Sequence, residues 1–263
     1  MKDSALAIIP ARMASTRFPG KPMALIHGMP MIGHVYFRTR RAKSVQETYV
    51  ATCDREIYDY IRSVGGKAVM TSDSHQRCSD RTAEAMLSIE KETGMRADVV
   101  AMVQGDEPMV SPRSIDEAVR VLLDDRSLNI LCLMSPIDGE ADGEDPNLVK
   151  VVVDLKGFAL YFSREPIPSR RKSGGTVRMF KQYPIIPFRR DYLLHFNALP
   201  PTPLEAIESV DLLRILEHGE RVKMLEVPHP GLSVDTPGDL ARVVEAMRGD
   251  SLKEEYASKG LVR

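Results

Sequence analysis

The stretch AIIPARMASTRFPGKPM, Ala7 to Met23, runs straight from an apolar segment into Arg12, Arg17 and Lys21. Pro10, Pro19 and Pro22 stiffen it, and Ala14, Ser15 and Gly20 are small enough for backbone N–H groups to approach a ligand. Fixed cations beside exposed donors suit a triphosphate. Gly20-Lys21 is not a Walker loop, which requires Ser or Thr after the lysine and a glycine where Ser15 stands. Taken alone, the stretch also reads as a solvated basic turn.

Two acidic segments shift the balance between those readings towards metal and phosphate. MVQGDEPMV (Met102–Val110) places Asp106 and Glu107 at the end of a continuous apolar run. A carboxylate there can hold Mg²⁺ through one or two oxygens and leave positions for phosphate oxygens and water. The structural alternative is a turn in which Asp106 accepts local N–H bonds. In VDTPGDLARVV (Val234–Val244), Thr236 as N-cap, Pro237 at the first helical position and Asp239 two residues on form a capping arrangement. Capping explains those three residues and leaves Asp235 projecting, the better metal candidate. Cys78, in HQRCSDR, lacks a His/Asn partner pattern and reads as a loop thiol, with Ser79-Asp80 capping a helix that starts near Arg81. His34, His75, His195, His218 and His229 are scattered without ligand spacing.

The elements that must position these residues alternate through the first half. Strand-like runs are Ala5–Ile9, Glu47–Ala51, Lys67–Met70, Asp98–Val103 and Asn129–Met134; helical stretches are Met31–Ala42, Arg55–Val64, Arg81–Glu92 and Ser114–Asp124. Gly65-Gly66 and Gly94 fall where helix ends are expected. Such alternation predicts a mostly parallel sheet with helices on both faces, with ligands at the carboxyl ends of the strands. After Ser135 the pattern changes to a polar loop and two extended runs, LVKVVVD and FALYFS, turned at Lys156-Gly157 into an antiparallel hairpin. Beyond the basic loop Ser169–Arg178 come a strand over Tyr183–Phe188, helices over Asp191–Ala198 and Leu204–Leu216, a strand over Val222–Val227 and a helix over Pro237–Met247. The tail Asp250–Arg263 is polar and expected to fray. The whole reads as one α/β nucleotide-binding domain, residues 1–263, in which 146–190 form an antiparallel insertion.

Composition excludes several classes. With 36 Lys+Arg against 37 Asp+Glu the net charge is −1, so bulk charge recruits neither nucleic acid nor a membrane surface. Cys53, Cys78 and Cys132 are odd in number and far apart, which argues against a disulfide framework and fits a reducing compartment. The N-terminus lacks a long apolar stretch followed by a cleavage site, and no run is long enough for a membrane span. A cytoplasmic protein is expected.

The motifs IPARMASTRFPGKPM, MIGHVY, YVATCD, GGKAVMTSDSHQ, VQGDEPMV, NLVKVVVD, ALYFSREPIP, PTPLEAIE and VDTPGDL together resemble, in order and over nearly the whole chain, the CMP-Kdo synthetase family of 3-deoxy-manno-octulosonate cytidylyltransferases. The resemblance implies a Rossmann-like nucleotidyltransferase core with a small antiparallel lobe used for homodimerisation. It implies Mg²⁺-dependent transfer of CMP from CTP to an acidic sugar, releasing pyrophosphate, for lipopolysaccharide or surface polysaccharide synthesis. By motif, Arg12 and Lys21 would contact the triphosphate with Ala11, Arg17, Arg81 and Gln104 around the nucleotide, and Asp106 and Asp235 would hold the metal. Gln104, Arg164, Gln182, Ile186, Glu208 and Asp211 would face the acceptor.

Departures from the family cluster on the acceptor side. After His-Gln the family usually shows Ser-Gly-Thr-Glu-Arg, where this chain has Arg77-Cys78-Ser79-Asp80-Arg81. Gln182 and Ile186 stand where the family supplies a sugar-contacting histidine and tyrosine, and Asp211-Leu212 where it has Glu-Gln. These changes leave open the same chemistry on another acid: an amino-sugar analogue, a different ulosonic acid or a phosphonate. A catalytically silent nucleotide-binding protein is a third reading, against which the intact Arg12, Lys21, Asp106 and Asp235 argue.

Overall fold

A computed structural model describes residues 4–15, 17–137, 139–170, 177–228 and 231–257. Residues 171–176 of the basic loop, His229 and the end of the tail lie outside the described residues. The chain begins with β1 (Ala5–Ala11), a 3-10 turn (Lys21–Met23) and the small hairpin β2 (Leu25–Ile26) and β3 (Met29–Pro30). Alternation follows: α1 (Met31–Thr39), β4 (Glu47–Thr52), α2 (Arg55–Ser63), β5 (Ala68–Met70), α3 (Cys78–Thr93), β6 (Val99–Val103) and α4 (Pro112–Asp124). The second half holds β7 (Leu131–Pro136), α5 (Glu140–Glu144), β8 (Lys150–Val153), β9 (Ala159–Ser163), β10 (Phe180–Tyr183), β11 (Ile185–Arg189), α6 (Arg190–Ala198), α7 (Pro203–Glu208), α8 (Leu212–Glu217), β12 (Lys223–Glu226), α9 (Pro237–Ala246) and α10 (Ser251–Tyr256).

The first sheet has the order β11-β6-β1-β4-β5, with β1, β4, β5 and β6 mutually parallel and β11 antiparallel at the edge. Both faces are covered, which is why β1 and β6 are buried along their whole length and read as unbroken apolar runs. Alternate residues feed two cores. Leu6, Ile8, Val100 and Met102 pack with Met86 and Ile89 of α3 and Phe196 of α6. Ile9, Val99 and Val103 pack with Ile32 and Val35 of α1 and with Ile115 and Val119 of α4. Gly94, at φ 70°, closes α3 as its spacing predicts.

The second sheet, β12-β7-β10-β8-β9, contains the expected β8–β9 hairpin, but it also recruits β7 and β12 from outside residues 146–190. The strand expected over Tyr183–Phe188 is two strands. Pro184 interrupts it, so Tyr183 pairs with Leu133 of β7 whereas Ile185 pairs with Val103 of β6. The 146–190 stretch thus ties the two sheets together, with β11 inside the parallel one.

Three further expectations are corrected. Helix α3 starts at Cys78, not Arg81; Arg77 is its N-cap residue, and Ser79 and Asp80 lie in its first turn. The helix expected over Leu204–Leu216 breaks into α7 and α8 at Ser209, whose φ is 53°. Thr202 N donates to Glu205 Oε2 at 3.3 Å, so Glu205 caps the start of α7 as a separate element. The first part of the tail is docked: Tyr256 of α10 is fully buried and its hydroxyl bonds His34 Nδ1 at 2.6 Å, while His34 Nε2 meets Ile26 O at 2.8 Å. Arg38 and Asp250 pair across the same contact at 2.5 Å.

Burial of the His34 ring holds its pKa down at about 4, against an ordinary value of 6.5. A depressed histidine favours the neutral folded form, so its contribution is full above pH 6.5 and disappears as pH falls towards 4. The loss is on the order of 3 kcal/mol. Denaturant melts at pH 7 and pH 4.5 should show a larger acid destabilisation for the native chain than for His34→Gln. Equal acid losses would show that His34 does not carry this dependence.

Candidate active site

Because β1 and β6 are adjacent and parallel, their carboxyl ends coincide, and Arg12 leaves β1 beside Gln104, Gly105 and Asp106 leaving β6. The two loops touch at Gly105: a Cβ there would stand 2.9 Å from Pro10 O, so only glycine allows this approach. The Arg12–Lys21 loop is closed by Gly20 N donating to Met13 O at 3.0 Å, and Met13 N is held by Asp54 Oδ2 at 2.8 Å at the end of β4. Gly20, at φ 74°, then starts the 3-10 turn that turns Lys21 inward.

Lys21 Nζ donates to Asp106 Oδ2 at 2.8 Å, Val234 O at 2.8 Å and Asp235 Oδ1 at 3.2 Å. Burial works against that charge, yet the two carboxylates outweigh it and raise the Lys21 pKa above the ordinary lysine value. Asp106 and Asp235 come from distant parts of the chain and are locked together by Val234 N donating to Asp106 O at 2.9 Å. The capping box of α9 forms as read from sequence, through Thr236 and Asp239, and leaves the Asp235 carboxylate free to face Lys21 and Arg17. Arg17 pairs with Asp235 at 2.9 Å and with Asn147 Oδ1 at 2.6 Å. Arg12 reaches Gln76 Oε1 at 3.4 Å, and no carboxylate among the described residues pairs with it.

Two hard-oxygen carboxylates within reach of one ammonium fit a Mg²⁺ ion, which takes one or two protein carboxylates and completes its shell with substrate oxygens and water. No group of three or more His, Cys, Asp or Glu among the described residues forms a closed metal cage.

Two cavities share this edge. One, of about 680 Å³, is lined by Ala11, Arg12, Lys21, His75 and Arg81. The other, of about 520 Å³, lies between the two sheets and includes Arg164, Gln182, Ile186, Asp211, Leu212 and Asp235. Arg17, Gln76, Arg77, Gln104 and Asp106 line both. Most residues read from the motifs are thus brought together: those the resemblance gives to the nucleotide line the larger cavity, and those it gives to the acceptor, Glu208 apart, line the smaller.

Three of them carry hydrogen bonds that brace the fold. Arg81 lines its cavity, but its guanidinium donates to Thr71 Oγ1, to Ser72 O at 3.2 Å and to His75 O at 3.4 Å, bracing the loop before α3. Arg164 spends its donors on backbone: Glu208 O at 2.7 Å, Pro146 O at 2.9 Å, and Asn147 O and Ser209 O at 3.4 Å each. Those bonds hold the left-handed turn at Ser209 that splits α7 from α8. Glu208 lines neither cavity; its carboxylate takes Tyr161 Oη at 3.2 Å, Ser163 Oγ at 2.9 Å and Arg164 N at 2.8 Å.

Lys181, which the sequence reading passes over, lines the smaller cavity together with Glu107. Glu107 is fully buried, and burial, then Asp106, push its carboxyl up to about 8; it accepts from Ser233 Oγ, and its Oε2 has no partner. Burial likewise pushes the Cys78 thiol up to about 12, and it donates to Gln104 Oε1 at 3.1 Å as a neutral group. Arg77 had one sequence signal, its departure from the family pattern; Lys181 had none.

A family model described as cytidylyltransferase matches residues 6–222. A 3-deoxy-manno-octulosonate cytidylyltransferase of Geobacter sulfurreducens is 43% identical over 252 residues, covering 92% of this chain and 98% of the relative. One of Geobacter metallireducens is 44% identical over 251 residues, covering 92% and 96%. Among solved structures, a CMP:2-keto-3-deoxy-manno-octonic acid synthetase complexed with CTP superposes with a TM-score of 0.85 at 38% identity, covering 93% of this chain and 98% of that one.

Proposed function

The chain belongs to the 3-deoxy-manno-octulosonate cytidylyltransferase family, and from that premise we infer that it is an enzyme transferring CMP from CTP to 3-deoxy-manno-octulosonate (Kdo). The observation that carries this reading is the meeting of Lys21, Asp106 and Asp235 where the two cavities join. An acceptor hydroxyl oxygen entering from one side can attack the α-phosphorus of a nucleotide held on the other. The bond to the β,γ-diphosphate then breaks and pyrophosphate leaves.

Positioning and charge are what such a displacement needs from a protein; no protein nucleophile is required. Arg12, without a carboxylate partner among the described residues, is the cation left to grip phosphate oxygens. Lys21 fixes the two carboxylates and adds positive charge beside the α-phosphate. Arg17 braces Asp235 against the acceptor-side loop through Asn147. Gln104 has its oxygen on the Cys78 thiol, which leaves its amide N–H groups to donate into the junction. Asp106 and Asp235 would hold Mg²⁺, which when bound neutralises phosphate charge and makes the acceptor hydroxyl more acidic.

The same reading extends to a homodimer, supported by exposed Leu155 and Leu160 on the β8–β9 hairpin and exposed Ile207 on α7. It extends to a cytoplasmic setting, supported by three free cysteines, and to supplying CMP-Kdo for lipopolysaccharide or surface polysaccharide synthesis. No helix among the described residues is long and apolar enough to cross a membrane.

Pyrophosphate release measured with CTP, Mg²⁺ and a panel of acids tests the reaction. Release with Kdo, abolished by a chelator and restored by excess Mg²⁺, is the expected result. Release only with another acid would replace the acceptor, and CTP binding without release for any acid would remove the enzymatic reading.

A further inference from the structure

The acceptor-side cavity has an apolar floor that includes Met102, Ile186, Phe188, Phe196 and Leu212, so its acid must be recognised from the rim. In a 2-ulosonic acid the attacking hydroxyl and the carboxylate share one carbon. Whatever binds that carboxylate must therefore stand at the junction with the nucleotide cavity, not deep in the acceptor side. The cations of the acceptor-side cavity are Arg17, Arg77, Arg164 and Lys181, and only Arg17 and Arg77 line both cavities. Arg17 is taken by Asp235 and Asn147. Arg164 is taken by four backbone carbonyls and lines one cavity only.

Arg77 is held differently. Its Nη2 meets Glu205 Oε1 at 2.5 Å, and its Nε lies 4.0 Å from Asp211 Oδ1. Glu205 is itself committed to Arg214, which takes both its oxygens at 2.7 and 2.8 Å. One buried carboxylate thus serves two guanidiniums, which fixes the direction of Arg77 without fully neutralising it. The side chain keeps 26% of its surface exposed.

We propose that Arg77 binds the carboxylate of the acceptor at the junction of the two cavities and so is a specificity-determining residue of the transfer. This rests on the reading that the acceptor is a 2-ulosonic acid. It also explains how the cavity tolerates apolar Ile186 and Leu212: recognition is moved from the sugar hydroxyls to the acid group.

Two variants test it. Arg77→Ser leaves a favourable N-cap residue at the start of α3, and Glu205 keeps Arg214, so folding should survive; Arg77→Lys keeps the charge without the fork. For Arg77→Ser the acceptor KM should rise roughly ten- to hundredfold, as for loss of a charge-assisted hydrogen bond, while the CTP KM and thermal midpoint stay near native. Arg77→Lys should fall between. With the C1 amide of Kdo as acceptor the native enzyme should lose most of its kcat/KM, and Arg77→Ser should lose no more, a readout that a merely structural role would not move. An unchanged acceptor KM, a rise confined to the CTP KM, or an unchanged acid-to-amide preference would overturn the assignment while native turnover of Kdo stands. Absence of native turnover with Kdo would instead overturn the acceptor reading, and this assignment with it.

Discussion

With Asp106 as a Mg²⁺ ligand in the proposed reaction, Asp106→Asn should lower kcat on the order of a thousandfold or more, because the amide weakens the metal that would offset charge developing on phosphate oxygens. The amide keeps the size of the side chain, so the fold should be unaffected. The backbone lock from Val234 N to Asp106 O does not use the side chain, and Lys21 retains Val234 O and Asp235 as partners. Asp235→Asn should behave alike, since its capping neighbours Thr236 and Asp239 make their bonds without its carboxylate. Single-turnover rates with saturating CTP and acid, together with thermal midpoints, check both. Near-normal turnover in either variant would remove that residue from the metal site. A collapsed midpoint would show instead that the carboxylate holds the two loops together.

The second large effect is expected at Lys21→Met. This side chain is mostly buried and makes two ion pairs and a backbone bond, so its loss removes a cation from the junction and leaves two carboxylates facing each other. Loss of such a preorganised charge costs on the order of a hundred- to thousandfold in kcat/KM. The CTP KM should rise less than kcat falls, because Arg12 and the loop N–H groups remain for ground-state binding. Initial-rate kinetics over both substrates would show the split. A rise in CTP KM alone, with kcat unchanged, would make Lys21 a uniform binding residue and not part of the chemistry.

Much of this was legible from residue order. The unbroken apolar runs of β1 and β6 announced a covered parallel sheet, and that alone put Arg12 next to Asp106. Asp235 was found by elimination, because capping explained its neighbours and not it. Other features depend on contacts between distant segments. Pro184 divides one apolar run between two sheets, and no local pattern separates that outcome from a single strand. Ser209 breaks a continuous helical pattern because Arg164, far away in sequence, collects the freed carbonyls. The same geometry gives Arg164 backbone partners that no sequence pattern announces, and it leaves Arg77 lining both cavities. The polar tail reads as frayed in sequence because only the folded chain brings Tyr256 under His34.

The reaction itself is tested most directly by ³¹P NMR of the native protein with CTP, Mg²⁺ and Kdo labelled with ¹⁸O at the 2-hydroxyl. One phosphodiester resonance, isotope-shifted by a single bridging ¹⁸O, should grow in step with unlabelled pyrophosphate as CTP disappears. Pyrophosphate accompanied by free CMP, or a phosphodiester without the label, would contradict attack of the sugar hydroxyl on the α-phosphorus at the junction of Lys21, Asp106 and Asp235.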